Sequence, residues 1–129
     1  MKIGLIGSSP ICKDHIAALK ENDFQIEAIG SRRDSQRCHN LAQELSLITK
    51  FCKNGWEEVL EKDVDGFCIC TNINLTPKIL EKALSKNKYI LVEKPISYNA
   101  SLINPFLLHP NKEKIFVAYN RRYYKTVNE

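Results

Sequence analysis

Three short stretches of this chain hold residue types suited to binding or chemistry. The first is Gly7-Ser8-Ser9-Pro10-Ile11-Cys12, between an apolar run and an amphipathic segment. Its place matches that of a G-x-G-x-x-G turn, with only the first glycine kept. Ser9 stands at the second glycine position, where backbone approaches a pyrophosphate, and Cys12 at the third, where helix packs on sheet. The hydroxyls of Ser8 and Ser9, with the free N–H groups of a helix start, can still hold an anion. The second stretch is Ser31-Arg32-Arg33, after another apolar run. An NAD site usually has Asp or Glu near here for the ribose hydroxyls. A guanidinium instead suits a 2′-phosphate, and a hydrogen bond to a charged group contributes roughly 1.5–3 kcal/mol. The expected preference is NADP over NAD. The third stretch is Glu93-Lys94-Pro95, at the end of a further apolar run.

The elements needed to position these stretches follow from periodicity. Strands are expected at 2–6, 25–30, 47–52, 64–71, 89–92 and 115–119. The run at 64–71 is apolar throughout, as suits a strand covered on both faces. Helices are expected at 10–22, 34–47, 55–61 and 76–86, with a broken one at 99–108 around Pro105. Ser9 reads as the N-cap of the first helix and Pro10 as its first residue. Ile11, His15, Ala18 and Leu19 recur there at helical spacing. Cys38, Leu41, Ala42 and Leu45 form the buried stripe of the second, and Trp56, Val59 and Leu60 face inward from the third. Strand–helix alternation at this pitch means βαβ units and a parallel sheet. The fold class is α/β, a doubly wound sheet of Rossmann type with about six strands. Residues 1–124 form one dinucleotide-binding domain and 125–129 a frayed tail.

Composition excludes several classes. With 129 residues, 43% hydrophobic and 26% charged, the chain is an ordinary single domain. No apolar run approaches the roughly 18 residues of a membrane span, and Lys13, Asp14 and His15 follow too soon for a signal peptide. A net charge of +4, spread along the chain, does not indicate nucleic acid. Cys12, Cys38, Cys52, Cys68 and Cys70 form no CxxC pair, and His15, His39 and His109 lie at no ligand spacing to them. Reduced, buried thiols in a cytoplasmic protein are expected, with no metal. As strand neighbours, Cys68 and Cys70 should share a face.

Order and spacing of motifs add a resemblance. Lys2-Ile3-Gly4-Leu5-Ile6-Gly7, His15, the strand Asp65-Gly66-Phe67-Cys68-Ile69-Cys70-Thr71-Asn72, Ala83-Leu84, Glu93-Lys94-Pro95 and Val117-Ala118-Tyr119-Asn120-Arg121-Arg122-Tyr123 occur in order. Over almost its whole length the chain resembles the glucose–fructose oxidoreductase/inositol dehydrogenase (Gfo/Idh/MocA) family. Departures are the degenerate glycine turn, Asn72 for a usual Pro, Thr76 for a frequent His, and Asn87 for a usual Gly. The resemblance implies hydride transfer between NAD(P) and a sugar- or polyol-type alcohol. It implies that Lys94 sits beside the nicotinamide and bonds the reacting hydroxyl as the catalytic residue. Glu93 orients Lys94 or the cofactor, and Pro95 shapes the turn through a cis bond. The cofactor site then comprises Gly7, Ser8, Ser9, Ile11, Ser31, Arg32, Arg33, Thr71, Asn72, Glu93, Lys94 and Pro95.

Family enzymes continue into a second α/β domain that supplies most of the substrate pocket, whereas this sequence stops at Glu129. The expectation is a nucleotide-binding half, inactive alone. The alternative is a non-catalytic nucleotide- or protein-binding module derived from such an enzyme. A methyltransferase reading is weaker, for want of an acidic residue at the second strand end to hold a ribose. Apolar surface around Phe116, Tyr119, Tyr123 and Tyr124 would be left exposed and invite a homodimer.

Overall fold

The computed structural model describes residues 1–45 and 48–123, and side chains up to 121. Six strands form one sheet: β1 (Lys2–Ile6), β2 (Gln25–Gly30), β3 (Lys50–Cys52), β4 (Gly66–Ile69), β5 (Tyr89–Val92) and β6 (Ile115–Val117). Their order is β3-β2-β1-β4-β5-β6, with every pairing parallel. This is the doubly wound order, which reverses at β1. The helices are α1 (Ile11–Glu21), α2 (Gln36–Leu45), α3 (Trp56–Leu60), α4 (Thr76–Leu84) and the short α5 (Asn104–Leu107).

Alternation along the strands divides the core into two layers. Ile6, Ala28, Phe67, Ile69, Ile90 and Val92 pack against α3 and α4, with Trp56, Val59, Ile79, Leu80 and Leu84. Ile3, Leu5, Ile26, Ile29, Cys68 and Cys70 pack on the other face, with Cys12, Ile16 and Leu19 of α1 and Cys38, Leu41 and Ala42 of α2. Cys68 and Cys70 do share a face, their sulfurs 3.7 Å apart. All five thiols are free and buried.

Element ends differ from the expectations for local reasons. Helix α1 starts at Ile11, not Pro10, and Ser9 is not its cap: Pro10 takes that position without a side-chain bond. The Ser9 hydroxyl donates instead to the Cys70 carbonyl at 3.2 Å. The buried stripe of α1 is Cys12–Ile16–Leu19, and Ile11 is exposed. Helix α2 cannot begin at Asp34, whose φ is +52°. Ser35 caps it, its hydroxyl accepting from the Cys38 N–H at 3.3 Å. Leu45 is only half-buried at its end. Strand β3 is shorter than 47–52, and Ser46 and Leu47 lie outside the described residues. Strand β4 is likewise shorter than 64–71. Helix α4 ends at Leu84, before Asn87 turns to φ +55°. The expected broken helix at 99–108 is a 3₁₀ turn (Ala100–Leu102) followed by α5, in whose first turn Pro105 needs no donor. Strand β6 ends at Val117, because the Tyr119 N–H folds back to the Val117 carbonyl at 2.7 Å.

On the face that carries α1 and α2, an open apolar groove of 550 Å³ remains toward β5 and β6. Leu19, Phe24, Leu91, Phe116 and Tyr119 are among its lining residues. Phe116 is 49% exposed and Tyr119 53%, as expected for this edge. The Tyr123 side chain, Tyr124 and the 125–129 tail lie outside the described residues. Among the described residues, no helix is long and apolar enough to cross a membrane.

Candidate functional site

Parallel register brings the three stretches to one edge of the sheet. Gly30, Ile6, Ile69, Val92 and Val117 lie side by side in one row across β2, β1, β4, β5 and β6. Each next residue therefore leaves the sheet at the same level: Ser31, Gly7, Cys70, Glu93 and Ala118. Backbone bonds fasten this level. The Gly7 N–H donates to Gly30 (2.8 Å), Cys70 to Ile6 (2.7 Å), Glu93 to Ile69 (2.9 Å) and Ala118 to Val92 (2.9 Å). This edge carries the carboxyl ends of the strands, and it includes the point where strand order reverses. Doubly wound sheets bind ligands at that point.

Gly7 shapes the first turn. Its φ is +123°, and a Cβ there would lie 2.2 Å from the Cys70 carbonyl oxygen. Only glycine lets β1 pass so close to β4. Ser8 and Ser9 are half-buried, and Ile11 is exposed at the start of α1. Among the described residues, none accepts a bond from the N–H groups of Ser8, Ser9 or Ile11. Those donors, with the positive end of α1, suit an anion. Beneath them the Cys12 thiol contacts the Ser9 hydroxyl (3.7 Å) and the Cys70 carbonyl (4.0 Å). Hydrogen bonding with Cys70, then burial, push this thiol far above the ordinary range. It is a neutral packing group, not a nucleophile.

Ser31 is half-buried, whereas Arg32 and Arg33 are exposed. Arg33 lies 3.8 Å from Asp34 in a solvated pair of little energetic weight. A cleft of 490 Å³ opens between α1 and α2, lined by Ser8, Ser9, Lys13, Arg37 and Asn40 among others. Lys13 and Arg37 were not singled out by sequence, because each reads as an ordinary solvated helix charge.

At the end of β4, Thr71 and Thr76 join hydroxyls at 2.9 Å. The Asn72 side-chain oxygen accepts from the N–H groups of Asn74 and Leu75, both at 3.1 Å. Asn72 thus caps the turn into α4, a local role that its side chain shares with Asx turns generally. At the end of β5, the Lys94–Pro95 bond is cis. Lys94 and Pro95 are exposed and Glu93 is half-buried. Glu93 places one carboxylate oxygen 2.7 Å from His15 Nε2 and accepts from the Lys94 N–H on the other at 3.1 Å. The Glu93 carboxylate thereby bonds the backbone of Lys94. His15, at helical spacing in α1, is half-buried and takes Glu93 as its partner. Trp56 is core, with Lys82 5.1 Å above its ring. No three described His, Cys, Asp or Glu side chains form a metal cluster.

Comparison with known proteins agrees with this arrangement. Residues 1–119 match the oxidoreductase family with an NAD-binding Rossmann fold known as GFO_IDH_MocA. The myo-inositol 2-dehydrogenase of Thermotoga maritima is 26% identical over 126 residues, which are 95% of this chain and 37% of that protein. Two solved structures share the fold. The WlbA dehydrogenase of Bordetella pertussis, in complex with NADH and UDP-GlcNAcA, has a TM-score of 0.82 at 18% identity. It is matched over 98% of this chain and 39% of its own. KijD10, a 3-ketoreductase of Actinomadura kijaniata in complex with NADP and TDP-benzene, has a TM-score of 0.82 at 21% identity. That match covers 96% of this chain and 38% of KijD10. The chain thus spans under two fifths of the length of these relatives. It belongs to the Gfo/Idh/MocA oxidoreductase family and carries that family's NAD-binding Rossmann domain.

Proposed function

We propose that the chain is the cofactor half of an oxidoreductase that moves hydride between NADP and a sugar- or polyol-type alcohol, and that it is inactive alone. The row of strand ends from Gly30 to Val92 carries this reading, because it gathers an anion-binding turn, an arginine pair and Lys94 at one edge. The Gly7 turn, with the N–H groups of Ser8, Ser9 and Ile11, fits a pyrophosphate. Ser31, Arg32 and Arg33 fit a ribose bearing a 2′-phosphate, with Ser31 rather than an acidic residue directly after β2 and the nearby Asp34 in a solvated pair with Arg33. Thr71, Asn72, Glu93, Lys94 and Pro95 border the nicotinamide end. A bound nicotinamide supplies or accepts the hydride. Lys94, as an ammonium, would donate a hydrogen bond to the reacting oxygen, stabilise the developing alkoxide and help relay a proton. The sugar or polyol class rests on the names of relatives: an inositol dehydrogenase, and a dehydrogenase in complex with UDP-GlcNAcA. The five buried thiols support a cytoplasmic setting. No nucleic acid is proposed as partner. A homodimer through the open apolar groove is part of the reading.

Calorimetric titration of NADPH and NADH into the purified chain tests this. NADPH should bind about 10- to 100-fold more tightly than NADH, and Arg32→Ala should remove most of that difference. NADH binding as tightly would overturn the NADP preference and leave the domain assignment. Failure of both to bind would favour a non-catalytic module. One observation supports that second reading: Ser9 occupies the turn with its hydroxyl committed to Cys70 rather than to a ligand.

A further inference from the structure

We infer that His15 is a positioning residue: through Glu93 it fixes the Lys94 turn to the helix that begins at the anion-binding loop. The two side chains meet at 2.7 Å across 78 positions of sequence, with exposures of only 15% and 20%. Glu93 uses both carboxylate oxygens, one toward His15 and one toward the Lys94 N–H at 3.1 Å. A carboxylate only accepts, so His15 Nε2 carries the proton in this pair. His15 stands one turn into α1, four residues after Ile11. The Glu93 backbone is itself held to β4 through Ile69. The chain of bonds therefore runs from α1 through His15 and Glu93 to the backbone of Lys94. A ligand seated at the start of α1 and the ammonium of Lys94 share one frame. A shift of α1 is passed to Lys94 by two hydrogen bonds, not by the flexible surface of the turn.

Of the described ionisable groups, Cys70 at the end of β4 feels the charge of Glu93, and the Cys12 thiol on α1 contacts the Cys70 carbonyl at 4.0 Å. Both thiols lie above their ordinary range, so they stay neutral while a histidine titrates. The catalytic meaning rests on the role proposed for Lys94, but the coupling does not, and its test needs no cofactor. The Lys94 amide resonance and the His15 ring resonance would be followed by NMR across the histidine range in the whole chain. Both should show one shared inflection. His15→Gln keeps a donor without a titrating ring, so the Lys94 amide should stay near its position and lose the inflection. His15→Ala should shift that amide and speed its hydrogen exchange, with Glu93→Gln as a second route if the alanine variant unfolds. A Lys94 amide that ignores His15 titration, or that keeps its inflection in His15→Gln, would overturn the inference. Absence of dinucleotide binding would instead overturn the proposed function and leave this result intact.

Discussion

Replacing Gly7 by alanine should be among the costliest single-atom-group additions in this chain. Two effects combine. At φ +123° an L-residue is strained by roughly 1–3 kcal/mol. The new Cβ would also lie 2.2 Å from the Cys70 oxygen and 2.6 Å from its carbonyl carbon, both backbone atoms that no rotamer change can move. Relief requires the Gly7 backbone to move away from Cys70, which disturbs both the Gly7–Gly30 bond to β2 and the Cys70–Ile6 bond between β4 and β1. Weakening both costs about 0.5–1.5 kcal/mol each. The total is about 2–6 kcal/mol, against the roughly 5–15 kcal/mol of a typical domain. Gly55 provides the control. Its φ is +122°, yet the nearest atom to its Cβ is a Glu57 carboxylate oxygen at 3.3 Å, the end of a flexible side chain. Gly55→Ala therefore isolates the backbone strain. Both variants gain the same small unfolded-state advantage over glycine, which cancels in the comparison. Urea unfolding followed by far-UV circular dichroism would give both values, and it avoids the change that Gly55→Ala makes beside Trp56. Gly7→Ala should be the less stable by about 1–3 kcal/mol, the worth of the two bonds. Equal losses would refute the argument that close approach of β1 and β4, rather than φ alone, requires glycine at the turn.

Two other outcomes follow from the core and the groove. Burial is the main cause that pushes the Cys38 thiol up to about 12 and the Cys52 thiol up to about 11, so the folded state favours their protonated forms. Their contribution is complete below the ordinary value of 9.0 and is lost as pH rises through 11–12, at up to about 1.4 kcal/mol per pH unit for each thiol. Thermal melts at pH 8 and 10.5 should show this loss, and Cys52→Ala should flatten it; an unchanged pH slope in that variant would contradict the assignment. If the groove mediates self-association, Phe116→Lys should weaken it roughly 10- to 100-fold, the worth of burying one large aromatic side chain. Sedimentation at several concentrations measures this, and a concentration-independent monomer in the parent chain would end the dimer proposal.

What the sequence revealed of this fold is what neighbouring residues can encode. Strand β5 begins and ends where its apolar run does, and the pair Cys68 and Cys70 falls on one face because strand period is two. Trp56, Val59 and Leu60 face the core from a helix only five residues long. Element ends were less legible, because they are decided by competition. Ser9 has both a helix start two residues away and the Cys70 carbonyl 61 residues away, and the distant acceptor wins. Asp34 has a helix former's neighbours but a left-handed φ, so capping passes to Ser35.

The site was legible as stretches but not as contacts, and strand register explains the difference. Glycine, arginine and lysine at strand ends are visible in a linear sequence. Which strand ends stand level with one another is not. Because Ile6 faces both Gly30 and Ile69, and Ile69 faces Val92, the residues after them rise together. A slip of one residue between β4 and β5 would turn Glu93 to the opposite face of the sheet, away from α1. His15 would then lose its partner, and the Lys94 N–H its acceptor. The pairing of His15 with Glu93 is therefore a product of two parallel registers and one helix phase, none of which local composition contains. For the same reason the hydrogen bonds that hold Lys94 are more demanding of the fold than Lys94 is itself: a lysine can be placed by any exposed turn, whereas its support needs three strands in line.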